Sequence, residues 1–202
     1  MVRKIGLTGG IACGKSTVAQ YLQQKYGVPV YNADRYAHFV LENLVKEAVV
    51  NRYGSGILRQ GQIDRQRLGQ IIFRDAGERR WLEHQIHPLV RQMLVEDTDR
   101  AEGLIVLEIP LLFEAEMTDL VDIIWVVACG EATAIARLQE RNQLTLEECQ
   151  QRLRAQMPLA AKIQRADVVL YNEGTLEELY QQVDRALLSQ IHYNCTISTK
   201  ET

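Results

Sequence analysis

What this sequence lacks narrows its function before any motif is read. Lysine and arginine number 23 against 26 aspartate and glutamate, a net charge of −3. The basic excess that marks nucleic-acid binders is missing, so no nucleic-acid partner is expected. Long apolar runs are missing too. The longest beside a candidate strand is Ile123 to Cys129, far short of the ~20 residues of a membrane span. Met1-Val2-Arg3-Lys4 leads straight into a strand-like run, with no apolar leader or small-residue cleavage site. A cytoplasmic location away from any membrane is the expectation. The four cysteines, at 13, 129, 149 and 195, form no C-x-x-C and accompany no paired histidine ligands. That argues against a structural zinc site or disulfide framework and suits a reducing compartment. His84 and His87 are three apart, a possible helical ligand spacing with no third ligand nearby.

What is present alternates. Continuous apolar runs at Arg3 to Thr8, Val28 to Asn32, Leu104 to Ile109, Val121 to Ala128 and Asp167 to Tyr171 read as five strands. Lys15 to Lys25 reads as a helix, as do 131–142, 146–156 and 175–190. Apolar strands alternating with helices predict an α/β fold, a parallel sheet covered on both faces. Two blocks interrupt it: a helical stretch over 33–99 with almost no strand signal, and a basic stretch over 137–165. Both follow strand ends, at the carboxyl edge where open α/β sheets bind ligands. The expected organisation is a core of 1–32, 100–136 and 166–190, an acceptor-binding insert of 33–99, a lid of 137–165, and a frayed polar tail of 191–202.

Between Gly9 and Ser16 the chain spells G-x-x-x-x-G-K-S, after a strand and before a helix. In that setting the glycines turn backbone N–H groups around phosphate oxygens, and the helix aims its positive end at the same place. Lys15 would reach the β- and γ-phosphates and Ser16 would offer its hydroxyl to Mg²⁺. N-K-x-D, D-x-x-G and L-S-G-G-Q are absent, which excludes the GTPase and transporter classes and leaves a small-molecule kinase. Glu108, in LIVLEIP, is the nearest candidate for the strand-end carboxylate of a hydrolase, and its place just before Pro110 leaves it ambiguous. Cys13 fills a variable loop position, where it reads first as a small side chain that fits; exposure beside Lys15 and a helix N-terminus would also acidify its thiol.

For the acceptor, Asp34 in VPVYNADRYA is either the carboxylate that takes the attacking hydroxyl's proton or the N-cap of the helix that follows. Arg59 to Arg91 holds seven arginines and no lysine against four acids. That local basic excess suits an anionic acceptor, although a solvated helix face explains most of these residues equally well. Arg141, ending the helix after the fourth strand, is the candidate to close onto the transferring phosphoryl group.

Taken together, IGLTGGIACGKSTVA, NADRYAH, GQIDRQRLGQIIFRD, LEHQIHPLVR, IPLLFE, RLQERNQLTLEECQQRLRAQMP and ADVVLYNEGTLEEL resemble the dephospho-CoA kinase family over about residues 3 to 185. The resemblance implies a P-loop NTPase core similar to nucleoside monophosphate kinases: a five-stranded parallel sheet flanked by helices, with a helical acceptor-binding insert and a helical lid. It implies transfer of the ATP γ-phosphate to the ribose 3′-hydroxyl of dephospho-CoA, with Mg²⁺ and no protein partner. Carried over by motif, Gly10, Ala12, Cys13, Gly14, Lys15, Ser16 and Thr17 bind ATP, with Asn172 near the adenine. Asp34 becomes the base, Arg141 the lid arginine, and Arg65 and His87 candidates for substrate contact. The chain has Asn32-Ala33-Asp34 where the family often has Asp-Ala-Asp, and Cys13 where it often has Ser or Gly. The rivals are a kinase of another nucleoside or nucleotide and a non-catalytic NTP-gated regulator.

Overall fold

The structure is a computed structural model describing residues 2–198, with side chains through Gln190. Contacts divide the chain into two compact units, one of Met1–Tyr31 with Glu102–Thr202 and one of Asn32–Ala101. The chain runs β1 (Arg3–Gly9), α1 (Lys15–Tyr26) and β2 (Val30–Asn32), then α2 (Ala33–Asn43), α3 (Lys46–Tyr53), β3 (Leu58–Arg59), β4 (Gln62–Ile63), α4 (Arg65–Arg74) and α5 (Ala76–Thr98). It returns with β5 (Leu104–Glu108), β6 (Ile123–Ala128), α6 (Glu131–Asn142), α7 (Leu146–Arg154), α8 (Leu159–Gln164), β7 (Val168–Tyr171) and α9 (Leu176–Ser198).

In the first unit the five expected strands form one parallel sheet in the order β2-β5-β1-β6-β7. β1 is therefore central and carries the glycine-rich turn at its end. Its Ile5 and Leu7 are fully buried, as are Trp125 of β6, Val18 and Leu22 of α1, and Leu179 and Val183 of α9. Each such side chain contributes about 1.5–3 kcal/mol through burial, which is why the strands read as uninterrupted apolar runs. β2 starts at Val30 rather than Val28, because Pro29 has no N–H for the ladder; its carbonyl accepts from Val106 N at 2.9 Å. Where the sequence reads a frayed tail from 191, α9 continues to Ser198. No glycine or proline occurs in that stretch to stop a helix, and residues 199–202 lie outside those described.

The segment read as a lid holds the end of α6 and all of α7, where helices over 131–142 and 146–156 are expected, and one further short helix, α8. α7 carries a Thr145–Glu148 capping box, and Pro158 caps the short α8. Lys162 of α8 is fully buried, its Nζ 2.8 Å from Glu114 Oε1 in the loop after β5 and 3.3 Å from Pro110 O. The same Glu114 oxygen accepts from Met157 N at 2.9 Å. A buried cation needs such partners to offset its desolvation, so the α7–α8 connection is pinned to the β5 loop.

In the second unit, the cap of α2 is Asn32, whose side chain accepts from Arg35 N at 3.1 Å. The capping alternative for Asp34 is thereby corrected: Asp34 lies in the first turn, where a negative charge suits the helix dipole. Asp64 and Asp75 cap α4 and α5. Over 33–99, where the sequence shows almost no strand signal, β3 and β4 form one short antiparallel hairpin. Its strands have two residues each and leave no alternation to detect; Gln60 and Gly61 between them both have positive φ, 52° and 80°, as a tight hairpin turn requires. Several arginines of the basic block serve the unit itself. Arg67 and Arg80 donate to Gly56 O and Ala76 O.

Arg52 pairs with Glu78 at 2.6 Å and lies 4.5 Å over the Trp81 ring, while Tyr53 OH donates to Glu78 at 2.7 Å. The Arg52 guanidinium and then the Tyr53 hydroxyl hold the Glu78 carboxyl down at about 2, from an ordinary 4.5. A lowered carboxylate pKa supplies stability above the unfolded value that is lost as pH falls through the folded one. Glu78→Gln is therefore expected to flatten the acid limb between pH 4.5 and 2, read by circular dichroism during urea unfolding. Parallel acid limbs for variant and wild type would assign the pair no role in stability.

Candidate active site

The turn between β1 and α1 is built by residues whose backbone most sequences cannot supply. Gly9 has φ 146° and Gly14 φ 99°. A Cβ on Gly9 would strike Val127 O, and one on Gly14 would strike Asn172 Nδ2. Ala12 is left-handed as well, with φ 57°, a strain of the kind kept at ligand sites. Gly10 N donates to Val127 O at 3.2 Å and Cys13 N to Gly10 O at 3.3 Å. Lys15 Nζ lies over the loop, 2.8 Å from Gly10 O and 3.4 Å from Gly9 O. The start of α1 is a site for anionic oxygens.

Glu108, given no role from sequence, is the clearest residue that reading missed. It ends β5, is 4 % exposed, and its Oε1 accepts from Ser16 Oγ at 2.8 Å. The adjoining strand ends are tied by Ile109 N to Leu7 O at 3.0 Å and Thr8 Oγ1 to Pro110 O at 3.1 Å. The signal that could have found it is a carboxylate closing an apolar strand, which Pro110 obscured. A hydroxyl and a carboxylate form a hard oxygen pair that fits Mg²⁺, an ion that keeps waters and phosphate oxygens as its other ligands. Among the described residues no group of three His, Cys, Asp or Glu could hold a metal by itself.

A second missed residue is Arg137. From α6 it donates to Ala12 O at 3.4 Å and to Asn172 O at 3.2 Å. Asn172, 5 % exposed, donates from Nδ2 to Cys13 O at 2.8 Å. Its carboxamide thus braces the loop. Arg141, one turn beyond Arg137, is exposed and donates to Asn142 Oδ1 at 3.0 Å. Cys13 differs from expectation: it is 1 % exposed rather than open to solvent, its sulfur 2.6 Å from that of Cys129. Loop, α6 and the α7–α8 segment enclose a cleft of about 680 Å³ lined by Ile11, Cys13, Ala134, Leu153 and Leu159 among others.

In the second unit Asp34 is exposed in the first turn of α2, and Arg65 is exposed at the start of α4. His87 is half-buried in α5, one residue before Pro88. Burial lowers its pKa, with the nearby Glu83 opposing, so the ring favours its neutral form.

Comparison with known proteins accounts for this arrangement along nearly the whole chain. A family model described as dephospho-CoA kinase matches residues 3–178. The dephospho-CoA kinase of Thermosynechococcus vestitus is 52% identical over 187 residues, covering 91% of this chain and 92% of that protein. A crystal structure from Thermus thermophilus superposes with a TM-score of 0.80 at 38% identity, covering 93% of this chain and 97% of the other. The dephospho-CoA kinase of Campylobacter jejuni gives 0.72 at 26% identity, covering 96% and 100%. The chain belongs to the dephospho-CoA kinase family.

Proposed function

We propose that this chain transfers the γ-phosphate of ATP to the ribose 3′-hydroxyl of dephospho-CoA, giving CoA and ADP, the last step of coenzyme A biosynthesis, in the cytoplasm. The observation that carries this reading is family membership over 3–178 combined with an intact phosphate loop. The described residues include no helix long and apolar enough to cross a membrane.

In this reading the backbone of Gly10 and Ala12 to Thr17 wraps the phosphates of ATP, and Asn172 stands on the adenine side. Lys15 exchanges its carbonyl partners at Gly9 and Gly10 for β- and γ-phosphate oxygens. Ser16 and Glu108 would hold Mg²⁺. When bound, the ion neutralises charge on the phosphates and orients them for in-line attack. Asp34 accepts the proton of the ribose hydroxyl as it attacks. Arg141, on the α6–α8 lid, comes onto the transferring group, where a positioned charge counts most once water is excluded. Arg65 and His87 contact the acceptor, the arginine through its anionic groups.

A coupled ADP-release assay with dephospho-CoA, AMP or water as acceptor tests the assignment. Turnover is expected with dephospho-CoA and Mg²⁺ alone among these. Robust turnover with AMP but not dephospho-CoA would overturn it in favour of a nucleotide kinase.

A further inference from the structure

Cys13 and Cys129 are 116 residues apart in sequence, yet Cys129 Sγ donates to Cys13 Sγ at 2.6 Å. One sits in the phosphate loop, the other directly after β6. They are 1% and 5% exposed, but both line the cleft beside the loop, which gives a small reagent a path to them. The two sulfurs are inequivalent. The hydrogen bond from Cys129 lowers the Cys13 thiol pKa, aided by the charges of Lys15 and Arg137 and opposed by burial. The same bond, with burial, pushes the Cys129 thiol up. Cys13 is thus the more reactive sulfur and Cys129 the one poised to resolve it.

We propose that Cys13 and Cys129 form an oxidisable dithiol, converted by hydrogen peroxide to a disulfide that switches off the phosphate loop. The Cys13 thiolate attacks one peroxide oxygen; the O–O bond breaks, and hydroxide leaves with a proton as water, giving a sulfenic acid. The Cys129 sulfur then attacks that sulfur, the S–O bond breaks, and hydroxide leaves with the Cys129 proton as a second water. Two thiols and one peroxide give one disulfide and two waters, two electrons passing from sulfur to oxygen. A thiol reductant reverses the change by exchange, and transient disulfides of this kind are the ones a reducing compartment permits.

A disulfide imposes a Cβ–S–S–Cβ torsion near 90°, re-aiming a residue whose N–H bonds Gly10 O and whose carbonyl is held by Asn172. Cys13 Sγ also packs on Gly10, within 2.6 Å of where a Cβ there would sit. Amides that grip phosphate tolerate displacements of about 0.5 Å.

The inhibition rests on the ATP-binding reading of the loop, whereas the cross-link itself does not. The full chain is treated with hydrogen peroxide, and its digest is read by mass spectrometry alongside ADP release with dephospho-CoA. We expect the Cys13 and Cys129 peptides to be joined with loss of two hydrogens. Activity should fall at least ten-fold in step with joining and return with dithiothreitol. Cys129→Ala should start at wild-type activity and keep it at doses that cross-link the wild type. Absence of the joined peptide, full activity of the joined chain, or equal inactivation of Cys129→Ala would each overturn the proposal. If the variant does not fold, the wild-type mass and activity series decides alone. Reduced wild type that fails to turn over dephospho-CoA would instead overturn the kinase reading, with the joined peptide still scored by mass.

Discussion

Asp34→Asn is expected to lower kcat by about 10²–10⁴-fold, the usual worth of a general base, with ATP affinity nearly unchanged. Two features make this substitution clean. The N-cap of α2 is Asn32, not Asp34, so the change does not uncap the helix. Asp34 is exposed in the first turn, where loss of its charge removes about 0.3–1 kcal/mol of helix-dipole stabilisation. That loss falls well short of a hundred-fold effect on rate. A hydroxyl acceptor needs a proton acceptor, and Asp34 stands two residues beyond the end of β2. Steady-state kinetics with a separate ATP-binding titration provides the check. A collapse of ATP affinity in step with kcat would make Asp34 a magnesium-side ligand instead.

Lys15→Ala should lower kcat by about 10²–10³-fold, the loss seen when one preorganised charge is taken from a transition state. Its ammonium is already over the loop, held by Gly10 O at 2.8 Å, so little reorganisation precedes its use. The fold should survive, because Gly9 O and Gly10 O, which it leaves, belong to its own loop rather than to the core. Single-turnover phosphoryl transfer at saturating ATP separates this from weakened binding. A rate within a few-fold of wild type would show that the backbone amides alone stabilise the developing charge.

Much of the fold is legible in the sequence because its strands are buried on both faces: IGL in β1 and IIWVVA in β6 leave no polar interruption. The fold class and all five sheet strands follow from that pattern. Short elements do not. The β3–β4 hairpin has two-residue strands, and the six residues of α8 span less than two turns, below the length at which periodicity can be seen. Contacts across distant segments are equally hidden. Ser16 and Glu108 meet over 92 residues, and neither spacing nor composition encodes that meeting; parallel β1–β5 register does. Arg137 and Arg141 occupy successive turns of α6, and only the packing of that helix shows that Arg137 reaches Ala12 O. The loop position of Cys13 suggests exposure, but β6 ends against it with Cys129. Asn32 and Asp34 are both good caps by type, and the backbone of β2 decided between them.

The most direct measurement is of the product. The full chain, incubated with ATP, Mg²⁺ and dephospho-CoA, is followed by ³¹P NMR and mass spectrometry of the acceptor. One new phosphomonoester is expected, on the ribose 3′-oxygen, formed in equal amount with ADP. ADP accompanied by inorganic phosphate, with dephospho-CoA returned unchanged, would contradict it.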